Sequence, residues 1–190
     1  MRKIAILASG SGTLAEAIFD AVDKKILACS IEVLICDKTD APVIERARRY
    51  NIPVHLHPMK QDRQQWNLEL LQLLQSLDLD LVVSAGFMRI LDRTVTSSLP
   101  IINSHPALLP LFPGAHAVRD ALAAGATKTG TTIHWVDAGV DTGEVIAQAE
   151  LDIAPDDNEE SLHERIKILE RSLIVATIHQ LLSTMENDRS

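Results

Sequence analysis

Residues 3–8 (K-I-A-I-L-A) form a short apolar run that passes at once into Ser9-Gly10-Ser11-Gly12-Thr13. Residues 14–22 then place Leu14, Ala17, Ile18 and Ala21 at helical spacing. Strand, glycine-rich turn and helix in that order open an α/β unit, and the alternation recurs down the chain. Residues 31–36 read as a second strand. Residues 42–50 read as a helix with Pro42 in its first turn, where the missing N–H would have no partner anyway. A short strand at 53–56 precedes an amphipathic helix at 62–77, with Trp66, Leu70, Leu73, Leu74 and Leu77 on one side. Residues 81–85 and 100–103 are the fourth and fifth strands. Short strands that are apolar throughout, alternating with longer helices, predict an α/β fold with a doubly wound, mostly parallel sheet covered on both faces.

The pattern changes after Asn103. Three prolines fall within residues 106–114, which therefore form a loop. A helix at 117–124 follows, then two longer strands at 129–136 and 144–153 around the turn 137–143. These predict an antiparallel C-terminal strand pair, and residues 158–182 a long closing helix. No repeat, low-complexity stretch or linker interrupts the 190 residues. With roughly 150 residues per domain, a single domain over 1–190 is the economical reading.

A formal net charge of −8 removes the basic footprint that duplex or tRNA binding needs. Only six aromatic side chains are present (Phe19, Tyr50, Trp66, Phe87, Phe112, Trp135), too few for a base-stacking surface. No nucleic-acid partner is expected. Anionic substrates would have to be held by local devices: helix N-termini, backbone N–H groups or a few placed Arg and Lys residues. Neither a signal peptide nor an apolar run near the ~20 residues of a bilayer span is visible, so the expectation is a cytoplasmic protein without a membrane partner. Cys29 and Cys36 then read as free, buried thiols.

Three motifs carry chemistry. Gly10-Ser11-Gly12-Thr13-Leu14-Ala15 fits G-x-G-x-x-G/A between a strand and a helix, where backbone N–H groups and the helix dipole favour an anion. Dinucleotide binding would add an acid at the end of the second strand, and Asp37 stands there. Asn103-Ser104-His105-Pro106 falls beyond a strand's carboxyl end, where ligands bind in such sheets. In extended chain Asn103 and His105 face one way, giving an amide donor and a proton carrier to one pocket. The acidic turn D-A-G-V-D-T-G at 137–143 lacks the spacing of a calcium loop. A carboxylate there would orient a histidine and favour its charged form. No histidine pair has the i, i+4 spacing of a zinc helix, and His134 is expected at the solvent or at the edge of the site; no metal is expected.

Together the segments resemble the phosphoribosylglycinamide formyltransferases (GAR transformylases) of purine synthesis. The resemblance is carried by S-G-S-G-T at 9–13, D-K-T-D-A at 37–41, A-G-F-M-R-I-L at 85–91 and N-S-H-P-A-L-L-P at 103–110. It continues through F-P-G-A-H-A at 112–117, G-T-T-I-H-W-V at 130–136, D-A-G-V-D-T-G at 137–143 and H-E-R-I-K-x-x-E at 163–170. It implies a Rossmann-like formyltransferase fold and transfer of the formyl group of 10-formyltetrahydrofolate to the amine of glycinamide ribonucleotide, through a tetrahedral intermediate. It assigns proton transfer to His105, oxyanion contact to Asn103 and the balancing charge to Asp141. The phosphate and ribonucleotide contacts map to Ser11, Gly12, Thr13, Lys167 and Glu170. The folate contacts map to Arg63, Met88, Arg89, Ile90, Leu91 and Asn103, and to Asp137, Ala138, Gly139, Val140 and Asp141. The chain departs from the family where Thr13 runs straight into Leu14 without the usual Asn. It departs again at Ala107, usually Ser, and at Ser104, usually Ile or Val. A monomer or homodimer is expected.

Other readings stay open at this stage. A tRNA-acting formyltransferase would need a basic C-terminal domain, and a formyltetrahydrofolate hydrolase would normally carry an N-terminal regulatory one. A nicotinamide-dependent oxidoreductase would use the glycine turn and Asp37 but leaves N-S-H-P and the acidic turn without a role. A non-catalytic nucleotide-binding module is the remaining alternative.

Overall fold

A computed structural model describes residues 1–187. Its elements run β1 (Arg2–Ala8), α1 (Thr13–Asp23), β2 (Cys29–Cys36), α2 (Val43–Arg49), β3 (Val54–Leu56), α3 (Arg63–Ser76) and β4 (Leu81–Ser84). There follow α4 (Arg93–Thr96), β5 (Ile101–His105), α5 (Ala117–Ala123), β6 (Lys128–Trp135), β7 (Val145–Asp152) and α6 (Glu159–Asn187). The seven strands form one sheet in the order β3-β2-β1-β4-β5-β6-β7. Pairing is parallel from β3 through β5. β6 runs antiparallel to both β5 and β7. The doubly wound, mostly parallel sheet with an antiparallel C-terminal pair and a long last helix is thus as expected.

The parallel strands at the middle of the sheet are covered on both faces, which is why Ile4–Ala8 of β1, Val33–Cys36 of β2 and Leu81–Val83 of β4 are apolar at every position. Along β1, Ile4, Ile6 and Ala8 pack with Ile18 and Phe19 of α1, Ile44 of α2 and Ile174 and Ile178 of α6. The intervening Ala5 and Leu7 join Trp66, Leu70 and Leu74 of α3 and Val95 of α4 on the other face. Cys29 and Cys36 are free and buried, and burial pushes the Cys29 thiol up to about 11. Among the described residues no helix is long and apolar enough to cross a membrane.

Two differences from the sequence expectation bear on the site. β5 continues through His105, because Asn103, Ser104 and His105 pair with His134, Ile133 and Thr132 of β6. The single turn α4 has too few residues for a periodic signal. It is fixed instead by Asp92, whose Oδ1 accepts from the N–H groups of Thr94 and Val95.

The chain winds from β1 outward to β3, then returns past β1 to β4. The carboxyl ends of β1 and β4 therefore flank the point where the winding reverses, the usual place for a ligand crevice.

Candidate active site

Four chain segments meet at this reversal. The first is the glycine turn after β1. Gly12 has φ +75°, and a Cβ there would lie 2.3 Å from Val43 Cγ2 at the start of α2. Glycine is required both by the left-handed backbone and by that contact. α2 braces the turn from outside: Arg46 Nε donates to the Ser11 carbonyl at 2.8 Å.

The second segment, residues 85–92, leaves β4 without a strand ladder of its own. Side chains from three elements hold it instead. The N–H of Met88 donates to Ser9 Oγ at 2.9 Å, just past β1. Arg89 Nε donates to Asp37 Oδ2 at 2.5 Å, just past β2. From α3, Arg63 Nη2 donates to the Ile90 carbonyl at 2.6 Å and Asn67 Oδ1 accepts from the Asp92 N–H at 3.2 Å. A run of successive backbone groups is thereby fixed in place with part of its surface open.

The third is the end of β5 with the loop after it. Thr132 ties this loop to β6: its hydroxyl donates to the Ala107 carbonyl at 2.6 Å and accepts from the Leu109 N–H at 3.0 Å. The loop returns the Phe112 carbonyl and the Gly114 N–H to the site. His105 Nε2 lies 2.8 Å from that carbonyl, and the Gly114 N–H donates to Asp141 Oδ2 at 2.8 Å.

The fourth is the acidic turn between β6 and β7, which brings Asp141 in at φ +54°. Its Oδ2 is 3.3 Å from His105 Nδ1 and its Oδ1 is 3.5 Å from His134 Nε2. The contact with His134, the Gly114 N–H and the charge of His105 hold the Asp141 carboxyl below the ordinary value, against the opposing effect of burial. Both nitrogens of His105 face acceptors, which the doubly protonated ring satisfies. Nε2 of His105 is thus engaged by the Phe112 carbonyl in the structure without substrate.

His134 was expected at the solvent or the rim. It is instead 2% exposed. β6 lies between β5 and β7 and is buried along both of its faces, which encloses the side chain. His134 Nδ1 lies 2.9 Å from the Trp135 carbonyl and so carries the proton. Nε2 faces both Asp141 Oδ1 at 3.5 Å and Asn103 Nδ2 at 3.3 Å. These contacts place the Asn103 amide on the wall of the site.

A cavity of about 530 Å³ opens among these segments, within the range of small-molecule sites. Met88, Arg89, Ile90, Leu91, Asn103, His105, Asp137, Gly139, Val140 and Asp141 all line it, with His134 and His163. A neighbouring hollow of about 440 Å³ is lined by Arg63, Ile90, Leu91 and Ala138. Of the lining residues, His163 had no sequence signal beyond being a histidine on the last helix.

Residues 2–178 match the family model described as formyl transferase. The chain belongs to the formyl transferase family. It is 40% identical to the phosphoribosylglycinamide formyltransferase of Mycobacterium tuberculosis (strain CDC 1551 / Oshkosh), over 94% of this chain and 84% of that protein. Against the enzyme of the same name from Bacillus subtilis (strain 168) the identity is 38%, over 96% and 95%. The crystal structure of phosphoribosylglycinamide formyltransferase from Bacillus halodurans superposes with a TM-score of 0.93 at 42% identity, covering 98% of both chains.

In this formyl transferase the residues expected at the phosphate and ribonucleotide lie outside both cavities. Ser11 is exposed, Gly12 is buried and Thr13 is half-buried at the start of α1. Lys167 Nζ is 2.6 Å from Glu164 Oε1. Glu170 is 8% exposed and accepts from the Ser104 hydroxyl at 2.8 Å. Burial pushes the Glu170 carboxyl up, with Ser104, Lys167 and Arg171 pulling the other way. Ser104, which departs from the family's usual apolar residue, thus contacts the side chain of Glu170.

Proposed function

We propose that the chain works as one formyltransferase domain that moves the formyl group of 10-formyltetrahydrofolate to the amine of glycinamide ribonucleotide. The observation that carries this reading is the convergence of Asn103, His105 and Asp141 on a cavity whose other wall is the tethered segment Met88–Leu91. Attack of an amine on a formyl carbon puts negative charge on the oxygen and positive charge on the nitrogen. The site must stabilise the first and move the proton of the second to the donor nitrogen, whose bond to the formyl carbon then breaks so that tetrahydrofolate leaves.

An N–H of Asn103 Nδ2 donates to the oxygen. Such a donor contributes about 3–4 kcal/mol to the transition state in comparable sites. His105 holds the positive charge beside it, and Asp141 balances that charge at 3.3 Å. To pass its proton on, His105 Nε2 must let go of the Phe112 carbonyl, which costs about 1 kcal/mol for an ordinary hydrogen bond. Proton transfer by one histidine is worth roughly 10²–10⁴-fold. Arg63, Met88, Arg89, Ile90 and Leu91, with the turn Asp137–Asp141, hold the folate. The backbone N–H groups of Ser11, Gly12 and Thr13, with Lys167 and Glu170, hold the ribonucleotide. The first N–H groups of a helix lack intrahelical partners, so the turn can offer them to a phosphate. Asp37, the acid a dinucleotide would need, is spent on Arg89. That engagement disfavours the oxidoreductase reading.

The test is an assay with purified protein, 10-formyltetrahydrofolate and glycinamide ribonucleotide, without nicotinamide cofactor. Tetrahydrofolate and formylated ribonucleotide should appear in equal amounts. Tight binding of both substrates with no turnover would favour a non-catalytic module instead.

A further inference from the structure

Asp37 is the one residue singled out by the sequence that the proposed chemistry leaves unused. Its side chain is fully buried, while Arg89, its partner, remains 31% exposed on the cavity wall. Only Oδ2 is engaged; Oδ1 is buried and has no hydrogen-bond partner among the described residues. A buried carboxylate with one oxygen unsatisfied is costly to the fold. An amide or hydroxyl could accept the Arg89 Nε–H with less desolvation. What a carboxylate adds is charge, and that charge acts on Arg89.

The other tethers of the segment at 85–92 grip its backbone: Ser9 holds the Met88 N–H, Arg63 the Ile90 carbonyl and Asn67 the Asp92 N–H. None of them fixes a side chain. Asp37 does, and the side chain it fixes is a cation that lines the cavity. A free arginine carries rotamer entropy that ligand binding would have to overcome.

We propose that Asp37 is a positioning residue for the formyl donor. It pre-orders the Arg89 guanidinium on the donor side of the cavity, so the end of β2 serves donor recognition instead of a ribose. This rests on the functional reading above. Wild-type turnover with the two substrates tests that reading by itself; the experiments below compare variants once turnover is established.

Asp37→Asn keeps the shape and removes the charge. The KM for 10-formyltetrahydrofolate should rise about tenfold, the scale of one hydrogen bond to a charged group. The kcat and the KM for the ribonucleotide should stay within about twofold. Titration calorimetry with tetrahydrofolate should show the same loss of affinity without any turnover. In an Arg89→Ala background Asp37→Asn should have no further effect on either readout. If Asp37→Asn does not fold, Arg89→Lys, which keeps the charge but lacks the Nε donor, should raise the donor's KM alone by a similar factor. The proposal is overturned if either variant leaves the donor's KM unchanged or shifts both KM values together. It is also overturned if the effect of Asp37→Asn persists without Arg89.

Discussion

Replacing Asp141 by Asn tests the charge at the centre of the site with little change of shape. The residue sits at φ +54°, where Asn is tolerated and Ala would add about 1–2 kcal/mol of backbone strain. The Asn side-chain oxygen can still accept the Gly114 N–H, so the loop and the turn stay joined. What disappears is a negative charge 3.3 Å from His105 Nδ1. Two unit charges about 4 Å apart attract by about 4 kcal/mol at the effective dielectric of partly buried pairs. The amide dipole keeps part of this, so kcat should fall by about 10²–10³-fold. The KM for the folate should change little, because the backbone of residues 137–141 keeps its place. Steady-state formyl transfer with both substrates saturating reads the first, and donor titration the second.

The same variant has a stability signature with a definite sign. The folded Asp141 carboxyl titrates below its ordinary value. The stability it contributes is therefore present above the ordinary carboxylate range and is lost as pH falls through the folded value. Thermal unfolding of wild type and Asp141→Asn should differ most near neutral pH and converge in acid. A folded Asp141→Asn protein that turns over within about tenfold of wild type would refute the argument that this charge drives the chemistry.

Three further outcomes follow from the geometry. Gly12→Ala should destabilise the fold by about 2–4 kcal/mol in urea unfolding, combining left-handed strain with the contact at Val43, whereas Gly10→Ala, with nothing within 4 Å, should cost less than about 1 kcal/mol. Glu170→Gln should raise the melting temperature at pH 8, since burial disfavours the charged Glu170 carboxyl. The penalty of the charged carboxyl is complete above its raised folded value and absent below the ordinary one, so this gain should shrink as pH falls from the first to the second. Trp66→Ala should cost about 3–5 kcal/mol in the same urea assay, because the ring is fully buried and its Nε1–H donates to the His57 carbonyl.

The parallel sheet was legible because its burial is local in sequence. A strand covered on both faces must be apolar at each position, so residues 3–8 and 31–36 announce themselves without knowledge of their neighbours. The carboxyl ends of strands then indicate where ligands gather, which placed Asn103, His105 and the glycine turn on one side of the sheet. His134 was not legible for the complementary reason. Alternation assigns a side chain to one of two faces, but β6 is buried on both, so neither face of it is a rim. His163 reaches the cavity only because α6 packs against β6 and β7, a long-range arrangement with no local signature. The pairing of His105 Nε2 with the Phe112 carbonyl depends on how a proline-rich loop folds back, and three prolines specify only that it is not a helix.

The cations around the site clarify how a chain of net charge −8 can handle anionic substrates. Arg89 is paired with Asp37, Lys167 with Glu164, and Arg46 with Glu16. Arg63 donates to a carbonyl and stacks over Trp66 at 5.3 Å. Each of these four cations thus has a partner that fixes its position, and for Arg89, Lys167 and Arg46 that partner neutralises some of the field. Long-range attraction of a phosphate is weak in such an arrangement, because paired charges cancel beyond a few ångströms. Short-range recognition is strong, because positioned donors lose little entropy on binding. The acidic composition therefore does not oppose anion binding here. It supplies Asp37, Glu164 and Glu16, which hold the cations in place.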